Sequence, residues 1–565
     1  MRSTGVAHGL QCTELRKTHF DIGKAIHSRV SRIFRSAEAG LTWYFRCLHE
    51  SQIAFLVWPI FFTYLASVNE IDRIEGKPRC HCGIFGIFGH PEAAVMTYYG
   101  LTALQHRGQE ASGIVTNEFL KDKKKWRFNA HKGVGLVADV FKDETILREH
   151  LKGFSAIGHN RYSTTGSSDN KSNIQPLTVN YRDGNLALGH NGNLTNFRVL
   201  RTQLQNEGTI FQSTSDSEII LHLIARSRQT DQIMQIKDAL DQIDGAYSLV
   251  MLTDKCLIAA RDPYGFRPLA LAKLNGAYVV ASETCAFDII GAEYIGEVMP
   301  GEILIIDEDG VRSGELKSYH VSKRSPEPHH CIFEYIYFSR PDSKIYGESV
   351  DKVRRKLGKL LAQESPVEPD GKDDKVVVIS VPDSSNTATL GFVTESNKNE
   401  INVKMEIGLI RSHYVGRTFI QPDQQDREMK VKTKYNTVKG VLKGRKVVIV
   451  DDSIVRGTTS RQLVKLIREA EPKEVHFRVT SPPIRYPCHY GMDFPSHDEL
   501  IANAFDGNVD KIADYLGVDS LAYLSMERLL EAAPKEDGKH YCTACFSGNY
   551  PVPIDKGSDK DANDT

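Results

Sequence analysis

The sequence lacks an excess of charge of either sign. It has 71 lysines and arginines against 72 aspartates and glutamates, so its 565 residues carry a formal net charge of −1. A protein whose main partner is a nucleic acid usually presents a basic surface or a basic segment. The composition therefore does not indicate a nucleic acid as the main partner.

Cysteine is also scarce. Ten cysteines in a chain of this length do not form the disulfide framework of a small secreted domain. Two of them belong to the segment Cys542-Thr-Ala-Cys545. In a reducing compartment this spacing indicates a metal ion or a metal cluster.

Long apolar runs are missing as well. The apolar stretch Ile53–Ser67 is shorter than the about 20 residues that a bilayer-spanning helix needs, and Pro59 interrupts it. Residues 1–50 carry scattered arginines and few acids. We expect residues 1–81 to be an atypical leader or propeptide of a cytoplasmic protein. An organelle presequence, a signal anchor and a mistaken gene model are the alternatives.

Strand-like and helical patterns begin near Cys82 and divide the rest of the chain in two. Strands dominate residues 82–316, with helices to cover them, which favours an α+β domain of layered antiparallel sheets. In residues 317–553 the apolar runs Lys375–Ser380, Val447–Val450 and Val475–Thr480 alternate with helical segments and predict a parallel α/β domain. Residues 317–330 resemble a linker, and residues 554–565 a disordered tail.

The segment Lys446–Ser460 carries the most specific pattern. An apolar strand ends in Asp451 and Asp452, and a hydroxyl-rich loop and a helix follow. Backbone amides at a helix N-terminus bind phosphate, although the glycine–lysine spacing of a Walker loop is absent. Two adjacent acids suit ribose hydroxyls or water-bound Mg²⁺. The segment predicts a phosphoribosyl diphosphate site; an ordinary strand–turn–helix with a surface acid pair is the alternative.

Polar groups also follow strand-like runs in the first half, where they predict a second small-molecule site. Cysteine is the best side-chain nucleophile near neutral pH, and His106, His159 and His190 are candidate bases. Taken singly, each motif has a plain structural explanation, such as a buried thiol or a hairpin turn. The segments in which glycine and polar groups follow a strand-like run are Cys82–Gly86, Leu104–Glu110, Gly158–Gly166, Gly189–Asn196 and Ser215–Glu218.

The motifs Cys82-Gly-Ile-Phe-Gly86 and His190-Asn-Gly-Asn-Leu194 resemble those of the N-terminal-nucleophile glutamine amidotransferases. The resemblance implies that Cys82 is the first residue of the mature enzyme and that its own α-amine, titrating near ~7.7–8.0, is the base. This requires cleavage after His81. Members of the family have a short leader or only an initiator Met, so residues 1–81 depart from the pattern. Cys80 is a competing nucleophile by position alone.

The same resemblance implies a role for each residue of a glutamine pocket. Arg161 would bind the α-carboxylate of glutamine, and Asp216 would hold its α-ammonium group. The Asn191 side chain and the Gly192 amide would form the oxyanion hole. Two further pocket residues would be Tyr162 and Thr164.

Together, the two halves resemble the amidophosphoribosyltransferase family from about Cys82 to Pro553. The resemblance implies a type I phosphoribosyltransferase domain behind the glutaminase domain. It implies synthesis of 5-phosphoribosylamine, glutamate and diphosphate from phosphoribosyl diphosphate, glutamine and water, as the first step of purine synthesis. It also implies feedback inhibition by purine nucleotides and a homotetramer.

In that family, Ser380–Ser385 corresponds in position to the diphosphate loop. Ser384, Asp451 and Asp452 would be associated with Mg²⁺. Gly408–Pro422 would belong to a flap that closes over the substrate and excludes water, with a plain surface loop as the alternative. The residues implied for phosphoribosyl diphosphate binding are Asp451, Asp452, Ser453, Arg456, Gly457, Thr458, Thr459, Ser460 and Arg417.

Four cysteines outside the glutaminase motif form a further candidate site. Four thiolates suit Zn²⁺ or an iron–sulfur cluster, and chemistry alone does not choose between them. One branch of the family holds a [4Fe–4S] cluster at these positions and another lacks it, so the resemblance implies a cluster that braces the second domain and senses oxygen. Buried unliganded thiols are the alternative. The residues are Cys331, Cys488, Cys542 and Cys545.

Three other functions fit part of the sequence. An uncut leader would leave a phosphoribosyltransferase that uses ammonia only. A non-catalytic sensor of phosphoribosyl diphosphate or a nucleotide would need the substrate site without the chemistry, although all the reactive groups are present. An amidotransferase for glucosamine phosphate or asparagine would share the first half, but the second half lacks the isomerase or ATP-binding domain that it would require.

Overall fold

The computed structural model describes residues 82–162, 171–322, 327–371, 373–412, 434–534 and 538–554, all within the unit Ile74–Thr565. The predictions for residues 1–81, for Thr164 and Arg417, and for most of the tail lie outside these ranges. None of the helices in the described ranges combines the length and the apolarity that spanning a bilayer requires.

Strands dominate the first half, as predicted. Their central members are apolar on both faces and fully buried, whereas β3 alternates between exposed and half-buried residues at a sheet edge. The strands are β1 (Gly83–Phe88), β2 (Ala111–Leu120), β3 (Lys125–Val134), β4 (Ser155–Arg161), β5 (Leu177–Tyr181), β6 (Gly184–Leu194), β7 (Gly245–Thr253), β8 (Cys256–Arg261), β9 (Ala270–Leu274), β10 (Ala277–Ala281), β11 (Glu293–Glu297), β12 (Glu302–Asp307) and β13 (Lys317–His320).

These described strands form two antiparallel sheets, with orders β11-β9-β10-β1-β4-β2-β3 and β13-β12-β8-β7-β6-β5. The sheets face each other through a layer of buried side chains that includes Ile84, Ile157, Val250 and Leu257. Burial of apolar area in such a layer contributes roughly 25 cal/mol per Å². The predicted antiparallel layers are therefore the core of this half.

Helices cover the outer face of each sheet. Ala93–Ala103 packs on the first sheet, and the three helices between residues 197 and 240 pack on the second. The Asp231 side chain caps one of these three by accepting a hydrogen bond from the Met234 amide at 3.0 Å, which satisfies a donor that the helix leaves unpaired. The helices are α1 (Ala93–Ala103), α2 (Val137–Val140), α3 (Phe197–Asn206), α4 (Ser217–Arg226), α5 (Gln232–Leu240), α6 (Cys285–Asp288) and α7 (Glu308–Ser313).

Two details of the first half differ from the sequence-based expectation. The apolar pattern predicts one strand over Ser248–Ala260, but this run is two strands, β7 and β8, that pair with each other across a turn. The segment predicted to begin the linker at residue 317 is instead β13, which pairs with β12 in the register Ile303↔Tyr319. Tyr319 packs on the core of the second sheet, so this short polar segment is held by one aromatic side chain and the strand hydrogen bonds.

The second half is built around a parallel sheet, as predicted. Within the described residues its order is β18-β17-β21-β22-β23, and all four strand pairs are parallel. The strands are β14 (His330–Cys331), β15 (Lys344–Ile345), β16 (Glu348–Ser349), β17 (Val376–Ser380), β18 (Val403–Met405), β19 (Leu409–Arg411), β20 (Tyr435–Thr437), β21 (Lys446–Asp451), β22 (Glu474–Val479), β23 (Ser520–Tyr523) and β24 (Tyr541–Cys542).

Helices bury both faces of the parallel sheet. Val376 and Val448 face one apolar cluster, and their neighbours Val377 and Val447 face another, so successive residues serve opposite faces. Ser380 at the end of β17 is in register with Val450 near the end of β21, which brings the loops after these strands to one edge. The helices are α8 (Val350–Glu364), α9 (Asn386–Lys398), α10 (Lys439–Leu442), α11 (Thr458–Arg468), α12 (Ile501–Ala504), α13 (Val509–Leu516), α14 (Met526–Ala532) and α15 (Ala544–Ser547).

Candidate active site

Cys82 lies at the start of β1, in the middle of the first sheet. Its side chain is buried, and its thiol donates to the Tyr162 carbonyl at 3.6 Å. Burial raises the pKa of the Cys82 thiol to about 11; the charge of Arg161 opposes this rise, and Glu110 and Asp216 add to it. A thiol in this setting needs a base close by before it can act as a nucleophile near neutral pH.

The predicted oxyanion residues lie on β6. Both polar atoms of the Asn191 side chain are buried and form no hydrogen bond with any described residue. Buried amides are normally satisfied, so this pair of atoms is suited to a bound molecule. Gly192 has φ +154°, and a Cβ there would lie 2.0 Å from the Ala246 carbonyl oxygen. This position therefore requires glycine.

The residues predicted to bind glutamine's charged groups flank these atoms. Asp216, just before α4, is buried and accepts a hydrogen bond from the Leu194 amide at 3.0 Å. That bond ties it to the end of β6. Arg161 ends β4 and is buried as well. The first half thus brings Arg161 and Asp216 within electrostatic range of Cys82.

In the second half, Asp451 ends β21 and Asp452 follows it; both are buried. Ser385 donates to Asp451 at 3.1 Å and to Asp452 at 3.4 Å. The Ser384 and Ser453 hydroxyls also donate to Asp452. Carboxylate and hydroxyl oxygens are ligands that suit Mg²⁺, so this group fits the ion implied by the sequence.

The loop after this pair leads into α11. Gly457 has φ +73° just before the helix, and a Cβ there would lie 2.3 Å from Ile501 Cδ1. The Thr458 hydroxyl is buried with no partner among the described residues, and Ser460 is buried. Such a helix N-terminus can accept a phosphate. Arg456, however, donates to Glu499 at 3.1 Å.

The segment predicted to form a flap, Gly408–Pro422, begins with β19, and the rest of it after Ser412 lies outside the described residues. β19 and β20 pair antiparallel in the register Leu409↔Thr437, and Arg411 lies 3.3 Å from Asp383 in the loop after β17. The hairpin therefore connects the flap segment to the predicted diphosphate loop. Arg417 lies outside the described residues.

The four remaining candidate cysteines come from the beginning and the later part of the second half, and they lie near enough to influence one another. Cys331 and Cys542 are direct partners in the parallel pair β14–β24. Burial raises the pKa of the Cys542 and Cys545 thiols, and the nearby cysteines, Cys331 and Cys488 included, raise it further. Thiols are the donors that an iron–sulfur cluster requires, so the residue types fit the implied cluster. Among the described residues, however, no group of three or more His, Cys, Asp or Glu side chains is arranged to hold a metal ion.

Comparison with known proteins decides the family. A family model described as a glutamine amidotransferase domain matches residues 159–288. The Arabidopsis thaliana protein named amidophosphoribosyltransferase 2, chloroplastic, is 50% identical over 491 residues, which are 87% of this chain and 82% of that protein. The chain belongs to the amidophosphoribosyltransferase family.

Solved amidophosphoribosyltransferase structures have the same fold. A solved structure of the allosteric regulatory enzyme of purine biosynthesis is 45% identical, with a TM-score of 0.77, and the match covers 86% of this chain and 99% of that one. The Bacillus subtilis glutamine phosphoribosylpyrophosphate amidotransferase, complexed with ADP and GMP, is 46% identical with a TM-score of 0.75, covering 84% and 98%. The predicted order, a glutaminase domain followed by a phosphoribosyltransferase domain, is confirmed.

Several residues beside these amidotransferase sites carried no predicted role. Glu110 influences the Cys82 thiol, although its segment was singled out only for its glycine and polar groups. Gln175 accepts from the His190 amide at 2.7 Å and donates to the Ser217 hydroxyl at 3.1 Å, which links β6 to α4. A lone glutamine before a proline gives no sequence signal for such a role.

Proposed function

We propose that the chain is a glutamine-dependent amidophosphoribosyltransferase, a pentosyl-transferring enzyme that begins purine synthesis. It would convert phosphoribosyl diphosphate, glutamine and water into 5-phosphoribosylamine, glutamate and diphosphate. The observation that carries this proposal is membership of the family over most of the chain. The arrangement of Cys82 and Asn191 in one half and of Asp451 and Asp452 in the other supports it.

The glutaminase reaction would begin at Cys82. Its α-amine, set free by cleavage after His81, takes the thiol proton, and the sulfur attacks the side-chain carbonyl of glutamine. The Asn191 side chain and the Gly192 amide donate to the oxygen that becomes negative. The C–N bond then breaks, ammonia leaves with the proton, and water hydrolyses the thioester to glutamate.

The second reaction would occur beside Asp451 and Asp452. The acid pair and the loop up to Ser460 hold and orient phosphoribosyl diphosphate, and no protein nucleophile is required. Mg²⁺, held by Ser384, Asp451 and Asp452, would supply positive charge to the leaving diphosphate. Ammonia forms the new C–N bond at the anomeric carbon as the C–O bond to diphosphate breaks.

We propose a [4Fe–4S] cluster on Cys331, Cys488, Cys542 and Cys545 with a structural role. The convergence of these four thiols supports it. Iron and acid-labile sulfide would be measured in anaerobically purified protein, together with its visible absorbance. Cys545→Ser should abolish the absorbance, whereas Cys256→Ser, at another buried thiol, should not. Protein with one bound zinc and no sulfide would overturn the cluster.

Regulation, assembly and location form a further set of proposals. We propose inhibition by purine nucleotides and a homotetramer, measured by activity assays and light scattering. The ADP and GMP complex of the Bacillus subtilis relative supports the proposed inhibition by purine nucleotides.

We propose a cytoplasmic location for the protein. Fusing residues 1–81 to a fluorescent protein would test this against location in an organelle. Residues 82–316 and 317–553 would be the two domains, with β13 extending the first domain to His320.

The decisive experiment measures both activities of the purified full chain. We expect 5-phosphoribosylamine to form with glutamine or with ammonia, and mass spectrometry to find Cys82 at the mature N-terminus. Activity with ammonia alone, together with an uncut leader, would overturn the glutamine-dependent function. Loss of both activities would instead favour a sensor.

A further inference from the structure

The predicted oxyanion strand of the glutaminase half touches a loop from the other half. Gly491 has φ +97°, and a Cβ at this position would lie 2.9 Å from the carbonyl carbon of Gly192 and 3.1 Å from its Cα. Contacts this close to backbone atoms cannot be relieved by rotating a side chain. Only glycine lets the two backbones approach in this way.

A hydrogen bond fixes the same two segments beside this contact. The Asn193 side-chain amide donates to the His489 carbonyl at 2.9 Å. Asn193 follows Gly192 on β6, and His489 lies two residues before Gly491. The loop is therefore held in register with the strand by one hydrogen bond and one backbone contact.

Buried charges hold the loop in turn. Arg267 donates to the Tyr490 carbonyl from Nε at 3.3 Å and from Nη2 at 3.0 Å. Its Nη1 donates to Glu334 at 3.1 Å, and Arg107 forms a two-pronged pair with the same carboxylate, at 2.7 and 3.0 Å. The Tyr490 ring also stacks on Phe266, with centroids 4.3 Å apart.

This loop has the features of a rigid support. The Arg107, Arg267 and Glu334 side chains are fully buried, and removing one member of such a group leaves uncompensated charge. Because a shift of this loop would disturb these buried charges, the loop has a fixed position. It therefore also fixes the position of the backbone that it contacts. Here it touches the residue whose amide would bind the oxyanion, at the Cα and the carbonyl group of Gly192.

We propose that the segment His489–Gly491 positions the oxyanion group of the glutaminase site. The phosphoribosyltransferase half would thereby set the geometry at Gly192, and the residues of the loop are positioning residues that do not touch glutamine. The inference rests on the proposed glutaminase function. It predicts that a disturbed loop lowers glutamine use and leaves the use of ammonia intact.

The test uses Gly491→Ala in the full chain. Because loss of one oxyanion donor costs about 10²–10³-fold in kcat, a displaced donor should lower kcat for glutamine by about 10-fold or more. The KM for glutamine should change less than about twofold, since ground-state binding uses other groups. Ammonia-dependent synthesis should stay within about twofold of wild type, because none of its proposed groups is touched.

Gly347→Ala is the matched control. Gly347 also has a positive φ, +86°, but a Cβ there meets nothing within 4 Å. It therefore reports the cost of backbone strain alone and should keep both activities. A Gly491→Ala enzyme that keeps the glutamine kcat of wild type would overturn the proposal.

Asn193→Ala is the second variant, in case Gly491→Ala does not fold. It removes the bond to His489 without adding an atom, and we expect kcat for glutamine to fall about 3- to 10-fold, as for one net hydrogen bond. An equal fall in ammonia-dependent activity would mean a general structural role and would also overturn the proposal. Wild-type protein without either activity would instead contradict the proposed function.

Discussion

The two halves of the molecule hold their candidate reactive groups in different ways. In the glutaminase half, Arg161 and Asn191 lie on strands and Cys82 directly precedes one, all inside a stack of sheets and helices. Among the described groups of the phosphoribosyltransferase half, Asp451 alone lies on a strand, and the others lie on loops or on the first turn of α11 at the edge of a parallel sheet.

The chemistry proposed for each half explains this difference. A thiol that attacks an amide needs its nucleophile and its oxyanion donors fixed to a fraction of an ångström before the substrate arrives. Transfer of a phosphoribosyl group has no protein nucleophile and needs charge, orientation and exclusion of water. Loops at a sheet edge can close over a substrate, whereas residues in the middle of a sheet cannot move. Each of the following predictions tests one side of that contrast.

The largest effect is expected at the nucleophile. Cys82→Ala should lower glutamine-dependent synthesis by about 10⁴-fold or more, as removal of other enzyme nucleophiles does, and should leave ammonia-dependent synthesis unchanged. Both rates would be measured on the same protein sample. A substantial glutamine-dependent rate in the variant would show that the two halves are not separate in the way proposed, or that Cys80 is the nucleophile.

A smaller loss is expected at the oxyanion donor. Asn191→Ala should lower kcat for glutamine by about 10²–10³-fold, with little change in KM, because the amide would act mainly on the transition state. Steady-state kinetics with glutamine would measure this, with the ammonia rate as the internal control. A rise in KM alone would assign Asn191 to glutamine binding instead.

In the other half, a single charge change should affect both reactions together. Asp452→Asn keeps the shape of the side chain but removes a negative charge beside Ser384. We expect both rates to fall by about 10²-fold, because charge stabilisation by a bound metal amounts to several kcal/mol. Asp309→Asn, on an exposed helix, is the control. A loss confined to the glutamine rate would contradict the assignment of Asp452 to the phosphoribosyl site.

The sequence predicts the groups of each site better than it predicts what holds them. The acid pair, the cysteine motif and the strands around them follow from local patterns that a few neighbouring residues complete. Arg107 and Glu334 look like solvated surface charges in the sequence, yet they are buried as partners that are 227 positions apart. Such a contact forms only when the two halves pack together, so a local sequence pattern cannot predict it.

The sheet boundaries show the same limit on a smaller scale. The turn between β7 and β8, Asp254–Lys255, contains no glycine or proline. The sequence from Ser248 to Ala260 therefore resembles one continuous strand until the pairing of β7 with β8 is known. β13 is polar and short, and its strand character comes from its hydrogen bonds to β12. Strand pairing, which the apolar pattern of a single segment does not show, therefore explains both errors.

The smallest effect tests the burial of the glutaminase half through pH. Burial lowers the pKa of His159 from 6.5 to about 3, and the charge of Arg161 lowers it further. Between these values the unfolded chain binds a proton that the folded chain does not, so His159 reduces stability as the pH falls. His159→Gln should lack this contribution. Relative to wild type, the variant should gain about 2 kcal/mol in free energy of unfolding between pH 7 and pH 5.

Urea unfolding at the two pH values would measure this gain, with His497→Gln at an exposed position as the control. The control should follow wild type at both pH values, because His497 is exposed and its substitution leaves the buried interior around β4 unchanged. If His159→Gln also followed wild type, the interior around β4 would admit a charged imidazole. The interior of the glutaminase half would then admit charge, and the contrast between a fixed site and a closable one would lose its physical basis.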